Sequence, residues 1–208
     1  MGKWINEHLI PKILAFVNTK AVQSIKDGMV YTMPLLIVGS IFLILANLPV
    51  KQAADALAAA GITTILSQAC GATFNISAII AVIGISYTYV KLEKQEPLSG
   101  SMIALAVFLL LQPSSVQTES GDLVSNIINK DWTAGKGMIG AIIIGLLVGY
   151  LYSWFLKKNI KIKMPNGVPA GVANAFSALI PAVAIVILAT IIHGIFSMGL
   201  HTTAIEAI

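Results

Sequence analysis

Lysines form the densest charged cluster of this 208-residue chain, with four of them within seven residues. A cluster of this kind can contact the phosphates of a nucleic acid or the anionic headgroups of a membrane. All 13 basic residues of the chain are lysines, however, and charged residues make up only 11% of it. Nucleic-acid modules carry arginine and a denser basic face. We therefore predict no nucleic-acid partner. The four lysines are Lys157, Lys158, Lys161 and Lys163.

The other residues that could do chemistry are His193, His201 and Glu206. Eight residues separate the two histidines, which places them about 80° apart on an ideal helix, and Glu206 lies further round. This spacing does not resemble a compact zinc motif. We predict no metal site, no catalytic residue and no cofactor. An ionisable group inside a membrane span can be functional, but a hydrogen bond from His193 to a neighbouring helix is the favoured interpretation.

Composition favours an integral membrane protein. Hydrophobic residues form 57% of the chain, and its mean hydropathy is +0.87. So few polar residues could not cover the surface of a water-soluble domain of this length. The single cysteine, Cys70, excludes a disulfide within the chain.

Five long uncharged stretches predict five membrane crossings, because about twenty apolar residues form a helix that spans the hydrocarbon core. The third stretch has a short apolar part and is expected to lie inside the protein or in a locally thinned bilayer. We predict an all-α polytopic fold with a cytoplasmic amphipathic segment at 1–28, a scaffold domain at 29–200, and the start of an extracellular segment at 201–208. The five stretches are Met29–Val50, Gly61–Val90, Pro97–Thr118, Gly137–Leu156 and Ala173–Ser197.

The distribution of the lysines predicts the orientation. If the N-terminus is cytoplasmic and the spans alternate, lysines concentrate on the cytoplasmic side, as the positive-inside rule requires. The cluster that begins at Lys157 then lies in a loop near the lipid headgroups. The cytoplasmic lysines are Lys3, Lys12, Lys20, Lys26, Lys91, Lys94, Lys157, Lys158, Lys161 and Lys163, and the external ones are Lys51, Lys130 and Lys136.

Three glycines in the fourth stretch, Gly140, Gly145 and Gly149, predict a close helix contact. Small residues at this spacing allow two helix backbones to approach each other in a membrane. The contact could lie within the chain or between two subunits, and the sequence leaves both possibilities open.

Three segments together resemble one known family. They read IKDGMVYTMPLLIVGSIFLILANLP at Ile25–Pro49, GISYTYVKLEKQEPLSGSMIALAVFLLLQP at Gly84–Pro113, and FLKKNIKIKMPNGVPAGVANAFSALIPA at Phe155–Ala182. The chain resembles enzyme IIC, the membrane permease component of the bacterial phosphotransferase system, in its lactose/cellobiose/diacetylchitobiose branch. The last segment is the most specific, and the resemblance covers nearly the whole chain.

The resemblance implies a scaffold and homodimerisation half of a group-translocating permease in the bacterial cell membrane. It implies uptake of a β-linked disaccharide such as cellobiose, which a cytoplasmic IIB partner, charged through IIA, phosphorylates. The sugar-binding residues would lie beyond Ile208, in a second half, so the chain is expected to be truncated. The candidate residues facing IIB are Lys91, Lys94, Lys157, Lys158, Lys161 and Lys163.

Two other functions remain as alternatives to a permease. Five scaffold helices could form a membrane module that dimerises without transporting. A small pore is less favoured, because the sequence lacks a filter-like carbonyl loop and charged rings.

Overall fold

The computed structural model describes residues 10–118, 120–165, 167–200 and 202–207. Helices dominate this part of the chain, so the predicted all-α class is confirmed. Short 3₁₀ turns lie at Phe74–Ile76, Lys130–Trp132 and Gly135–Gly137, and a π-helical turn lies at Phe196–Leu200. The helices are α1 (Ile10–Val17), α2 (Lys20–Val30), α3 (Met33–Ala46), α4 (Lys51–Ala59), α5 (Ile62–Gly71), α6 (Ser77–Leu92), α7 (Pro97–Leu110), α8 (Met138–Lys157) and α9 (Ala170–Ile195).

Helix α6 forms the centre of the bundle. It packs against α2, α7 and α8, while α9 packs on α7 and α8. The α6 core residues Val82, Ile85 and Val90 are fully buried. Phe108 of α7 is also fully buried, and Tyr152 of α8 is almost fully buried. The faces of α6 differ little in hydrophobicity, because neighbouring helices cover most of its circumference.

The first membrane segment differs in its bounds from the predicted stretch Met29–Val50. Helix α2 packs along α6, and it forms one bent apolar pair with α3, the two axes meeting at 41°. Pro34 in the first turn of α3 cannot donate a backbone hydrogen bond, which suits it to a position just after this bend. Residues 20–28, predicted as part of an interfacial segment, therefore lie partly inside the bundle.

Within the described residues, three helical segments are long and apolar enough to cross a membrane: Ile62–Leu92, Gly135–Lys157 and Ala170–Leu200. The number is four if the bent pair of α2 and α3 counts as one span. The remaining predicted stretch, Pro97–Thr118, contains the apolar helix α7, whose 14 residues fall short of a full span. Its shortness agrees with the sequence-based expectation.

The chain after α7 forms a β-hairpin, whose first strand lies within the uncharged stretch Pro97–Thr118. Strand β1 (Ser115–Gln117) pairs antiparallel with β2 (Leu123–Ser125), so that Val116 lies opposite Val124. The strand follows Gln112 and Pro113, so it lies in the polar end of the stretch and outside its short apolar part.

Large apolar side chains cover the outside of the bundle. Ile37 of α3 is 64% exposed, and Ile187 and Ile191 of α9 are each 54% exposed. A water-soluble protein rarely exposes continuous apolar surface on this scale. The outer surface is therefore suited to lipid, and the buried surface to helix contacts.

Candidate functional site: the lysine-bearing face

A tight turn between α6 and α7 positions the first pair of candidate lysines. Lys94 adopts a left-handed conformation with φ of 57°, and the backbone N–H groups of Lys94 and Gln95 donate back to the carbonyls of Lys91 and Val90. Glu96 then caps α7 by accepting hydrogen bonds from two backbone N–H groups of its first turn. Since four residues separate the two helices, Lys91 and Lys94 are held at the end of an antiparallel helix pair.

A similar turn ends α8 at Lys157 and begins the loop that carries the other three lysines. Asn159 has φ of 59°, and the backbone N–H of Ile160 donates to the Phe155 carbonyl at 3.0 Å. Asparagine tolerates this left-handed conformation at a helix end better than most residues. Further along the loop, the Ser177 hydroxyl of α9 donates to the Ile162 carbonyl at 3.1 Å. The first part of the loop is therefore anchored at two points, Ile160 and Ile162.

Glu93 joins three helices on this face. Its carboxylate accepts hydrogen bonds from Lys20 at the start of α2 and from Lys157 at the end of α8. The side chain is only 9% exposed, whereas both lysines are about half exposed. Burial raises the pKa of Glu93, but the hydrogen bonds and charges of Lys157 and Lys20 outweigh it and hold the net pKa below its ordinary value.

A small polar cavity lies between the two loops. Its volume is about 140 Å³, and the lining includes Lys94 and Glu96 from the first loop and Lys161 from the second. Asn174 and Ser177 of α9 complete its polar wall. The fold thus brings together two lysine groups that are more than sixty residues apart in the chain.

The six candidate lysines differ in their surroundings. Lys157 is committed to the ion pair with Glu93, and Lys161 is partly buried beside the cavity. The remaining four are exposed, so their charges are available to an acidic or phosphorylated partner surface. They are Lys91, Lys94, Lys158 and Lys163. Sequence reasoning missed the pairing of Glu93 with Lys20, because only folding reveals that they meet.

The three candidate glycines of α8 face the interior of this chain. A Cβ on Gly145 would lie 3.1 Å from the Ile85 Cβ, and one on Gly149 would lie 3.0 Å from the Tyr89 Cβ, both on α6. Gly140 contacts Ile205 instead, where a Cβ would lie 3.2 Å from its Cγ1. In this structure the glycines serve packing within one chain.

The opposite end of the bundle brings His193 and Glu206 to one cavity. Helix α9 ends at Ile195, close to the predicted end of the fifth span at Ser197, and the Thr202 N–H donates back to the Phe196 carbonyl. The ideal-helix angle used to compare His193 with Glu206 therefore does not apply in the folded chain. His193 and Glu206 consequently line a common polar cavity of about 380 Å³. The third residue of that set, His201, lies outside the described residues.

Curated relatives of the chain are named as permease components. It is 37% identical over 183 residues to the "PTS system oligo-beta-mannoside-specific EIIC component" of Bacillus subtilis (strain 168), a match that covers 88% of this chain and 41% of the relative. It is 33% identical over 204 residues to the "PTS system cellobiose-specific EIIC component" of Geobacillus stearothermophilus, covering 94% and 45%. The chain thus spans less than half the length of these relatives.

A solved structure shares the fold over nearly the whole chain. It is the crystal structure of the transporter ChbC, described as "the IIC component from the N,N'-diacetylchitobiose-specific phosphotransferase system". The TM-score is 0.88 at 32% identity, with 98% of this chain and 49% of the other covered. Residues 26–206 also match the family model described as "Phosphotransferase system, EIIC". The chain, an integral membrane protein by its composition and fold, therefore belongs to the EIIC family of the phosphotransferase system.

Proposed function

We propose that this chain is the N-terminal, scaffold-forming part of a sugar permease of a phosphoenolpyruvate-dependent phosphotransferase system, in which uptake and phosphorylation are coupled. The observation that carries the proposal is the likeness to ChbC across 98% of the chain. The relatives are named for oligo-β-mannosides and cellobiose, which supports a β-linked disaccharide as the substrate. A second half of the permease would complete the transport pathway.

The lysine-bearing face is the proposed docking surface for the cytoplasmic IIB partner. The two loops, together with the last turns of α6 and α8, carry six lysines and two glutamates, Glu93 and Glu96. Clustered positive charge accelerates association with an acidic partner and fixes its orientation. The anchored turns at Lys94 and Asn159 present these charges from fixed positions. This assignment requires the N-terminus of the chain to be cytoplasmic.

Transport is tested by joining this chain to the second half of the cellobiose-specific relative. Cells that lack their own cellobiose permease, but contain IIA and IIB, would express the joined protein. We expect them to accumulate phosphorylated cellobiose, measured with radiolabelled sugar. The full-length relative is the positive control. A joined protein that reaches the membrane without forming phosphorylated sugar would contradict the proposal.

The same cells distinguish the alternative, a dimerising module that does not transport. Expression of the 208-residue chain together with the full-length relative gives the comparison. Reduced sugar phosphorylation, together with co-purification of the two chains, would favour the module. A homodimer of the chain itself is proposed on the family resemblance, and sedimentation of the purified chain in detergent measures it.

Docking is tested with lysine-to-glutamine substitutions in the joined protein. Lys91, Lys94 and Lys163 would be replaced together, while Lys157 is kept because it pairs with Glu93. We expect the KM for phosphorylated IIB to rise about tenfold, since each lost surface charge contributes a fraction of a kcal/mol. Replacement of Lys51 and Lys136, which lie at the opposite end, is the matched control. Equal KM values in the two variants would exclude docking on this face.

A further inference from the structure

A polar cavity and an apolar groove lie next to each other where α7 and α9 leave the lysine-bearing face. The cavity is the small one of about 140 Å³ between the two loops. The groove has a volume of about 340 Å³ and lies between α7 and α9. Both helices begin at this face, so the groove leads from the charged end of the bundle into its apolar part.

The cavity and the groove adjoin along both helices. Glu96, which caps α7, lines the cavity, and Ser99, about one helical turn later, lines the groove. On α9, Ser177 lines the cavity and its neighbour Ala178 lines the groove. One turn of a helix rises by about 5 Å, so the lining changes from polar to apolar over a short distance.

The cavity carries a surplus of positive charge. Lys94 and Lys161 reach it from the two loops, and neither makes an ion pair within the described part of the chain. The carboxylate of Glu96 already accepts hydrogen bonds from two backbone N–H groups of α7, at 2.8 and 3.1 Å. The two ammonium groups are therefore available to an anion, and the side-chain amide of Asn174 adds a further donor.

The groove is apolar and accessible from the outer surface of the bundle. Its walls include Leu98 and Met102 of α7 and Leu179 of α9, which are 58%, 44% and 46% exposed. The small side chains of Ala178 and Ala182 leave space between these walls. Exposed apolar surface of this kind marks a contact with a membrane or another apolar partner.

The depth of the two spaces in a bilayer follows from α9. This helix belongs to a segment that is long and apolar enough to cross a membrane, and its first two turns contain Asn174 and Ser177 of the cavity. The cavity therefore lies near the level of the headgroups, and the groove extends toward the hydrocarbon core. Lysines at this level attract anionic headgroups.

We propose that the cavity and the groove together bind one anionic phospholipid, with its phosphate between Lys94 and Lys161 and one acyl chain between α7 and α9. A free phosphate would use the cavity alone, and an apolar helix would use the groove alone. A phospholipid of net negative charge fits both, because it joins a phosphate to a hydrocarbon chain. Lipid bound in this way would hold the two loops in a fixed relative position.

The test counts the lipids bound to the purified 208-residue chain in detergent by native mass spectrometry. Phosphatidylglycerol and phosphatidylcholine are titrated separately, and each titration gives an apparent Kd for the first lipid bound. We expect phosphatidylglycerol to bind about tenfold more tightly, because its net charge is negative. Equal affinities for the two lipids would overturn the proposal.

Charge variants test the position of the phosphate. Lys94→Gln combined with Lys161→Gln is expected to raise the apparent Kd for phosphatidylglycerol about tenfold. Lys91→Gln combined with Lys163→Gln is the matched control, since it removes the same charge from the same face but outside the cavity lining. We expect the control to change the Kd by at most about twofold. Equal weakening in both pairs would indicate diffuse attraction to a basic surface and contradict the proposed site.

A groove variant tests the position of the acyl chain. Ala182→Phe keeps every lysine but fills the groove, so we expect it to weaken phosphatidylglycerol binding severalfold. If Ala182→Phe lowers the melting temperature of the lipid-free chain, Leu98→Gln on the exposed wall replaces it. Lys94→Arg combined with Lys161→Arg retains both charges and should bind like the unmodified chain. Unchanged affinity in the groove variant would show that no acyl chain lies there.

The two other occupants give distinct outcomes. A ligand that binds the folded chain raises its melting temperature. If inorganic phosphate raises it as much as phosphatidylglycerol does, at equal ionic strength, the cavity belongs to free phosphate. If the lipid preference of the 208-residue chain disappears in the joined protein, the second half of the permease covers the groove. Either result would overturn the proposal.

The lipid site goes beyond the proposed function and is scored separately from it. Phosphorylated cellobiose formed by the joined protein, without any preference for phosphatidylglycerol, would remove the lipid site and leave the permease assignment standing. A preference that depends on Lys94 and Lys161, without sugar phosphorylation, would support the lipid site and contradict the assignment.

Discussion

At the scale of single residues, Glu93 has a structural role that its position in the sequence does not reveal. It lies one residue after α6, yet it ties the start of α2 to the end of α8 through Lys20 and Lys157. A carboxylate that is only 9% exposed requires such partners, because an unpaired buried charge is strongly unfavourable. The two lysines each remain about half exposed, so water still solvates them.

Glu93→Gln is expected to lower the free energy of unfolding by about 1–3 kcal/mol, because it removes charge-assisted hydrogen bonds to two lysines. An SDS unfolding titration of the purified chain measures the change. Asp27→Asn is the control: Asp27 pairs with Lys26 at 3.2 Å, but both side chains are largely exposed. We expect the control to change stability by about 0–1 kcal/mol. A larger loss in the control than in Glu93→Gln would refute this role.

The lowered pKa of Glu93 predicts how stability changes with pH. Its folded-state pKa lies below its unfolded-state value, so its contribution is present above the unfolded pKa and is lost as pH falls through the folded pKa. Between about pH 6 and the acid limit of folding, the unmodified chain should therefore lose stability more steeply than Glu93→Gln. Melting curves of both proteins from pH 6 downward measure this difference. Parallel curves would show that Glu93 contributes nothing to acid sensitivity.

At the scale of helices, the backbones of α2 and α6 approach each other closely at two glycines. A Cβ on Gly28 would lie 2.6 Å from the Ile85 Cα, and one on Gly84 would overlap the Gly28 carbonyl oxygen. Both contacts are shorter than any that a real Cβ makes, and both involve backbone atoms that a side-chain rotation cannot move. Only glycine allows the two helices to pack at this distance.

Gly28→Ala and Gly84→Ala are each expected to destabilise the chain by about 1–3 kcal/mol through separation of α2 from α6. Gly194→Ala on α9 is the matched control, since nothing lies within 4 Å of the position that its Cβ would take. Alanine favours a helix over glycine by about 1 kcal/mol, so the control should be neutral or stabilising. The SDS titration separates these outcomes, and equal stability of all three variants would contradict the proposed close packing.

At the scale of the whole molecule, the charged groups divide between two ends. The turns of α6–α7 and α8–α9 carry the lysine-bearing face, and the β-hairpin and the polar cavity lie at the other end. The positive-inside rule predicts that the lysine-bearing end is cytoplasmic. This orientation is the basis of the proposed docking surface.

Orientation can be measured with single cysteines in a Cys70→Ser background. Ser120→Cys lies in the exposed hairpin, and Lys94→Cys lies on the lysine-bearing face. On intact cells, a membrane-impermeant maleimide should label Ser120→Cys, whereas Lys94→Cys should react only after the membrane is opened. The reverse pattern would place the lysines outside and contradict the docking proposal.

Sequence alone determined the membrane class, the all-α fold and the family, because hydropathy, lysine distribution and local motifs such as MPNGVP are properties of continuous segments. It also predicted that Pro97–Thr118 holds less apolar helix than the other spans. Tertiary structure decided the rest: Lys20 meets Glu93, Gly28 meets Gly84, and His193 shares a cavity with Glu206. These contacts join residues on different helices or across a turn, and their distances depend on how the helices pack, which no local spacing encodes.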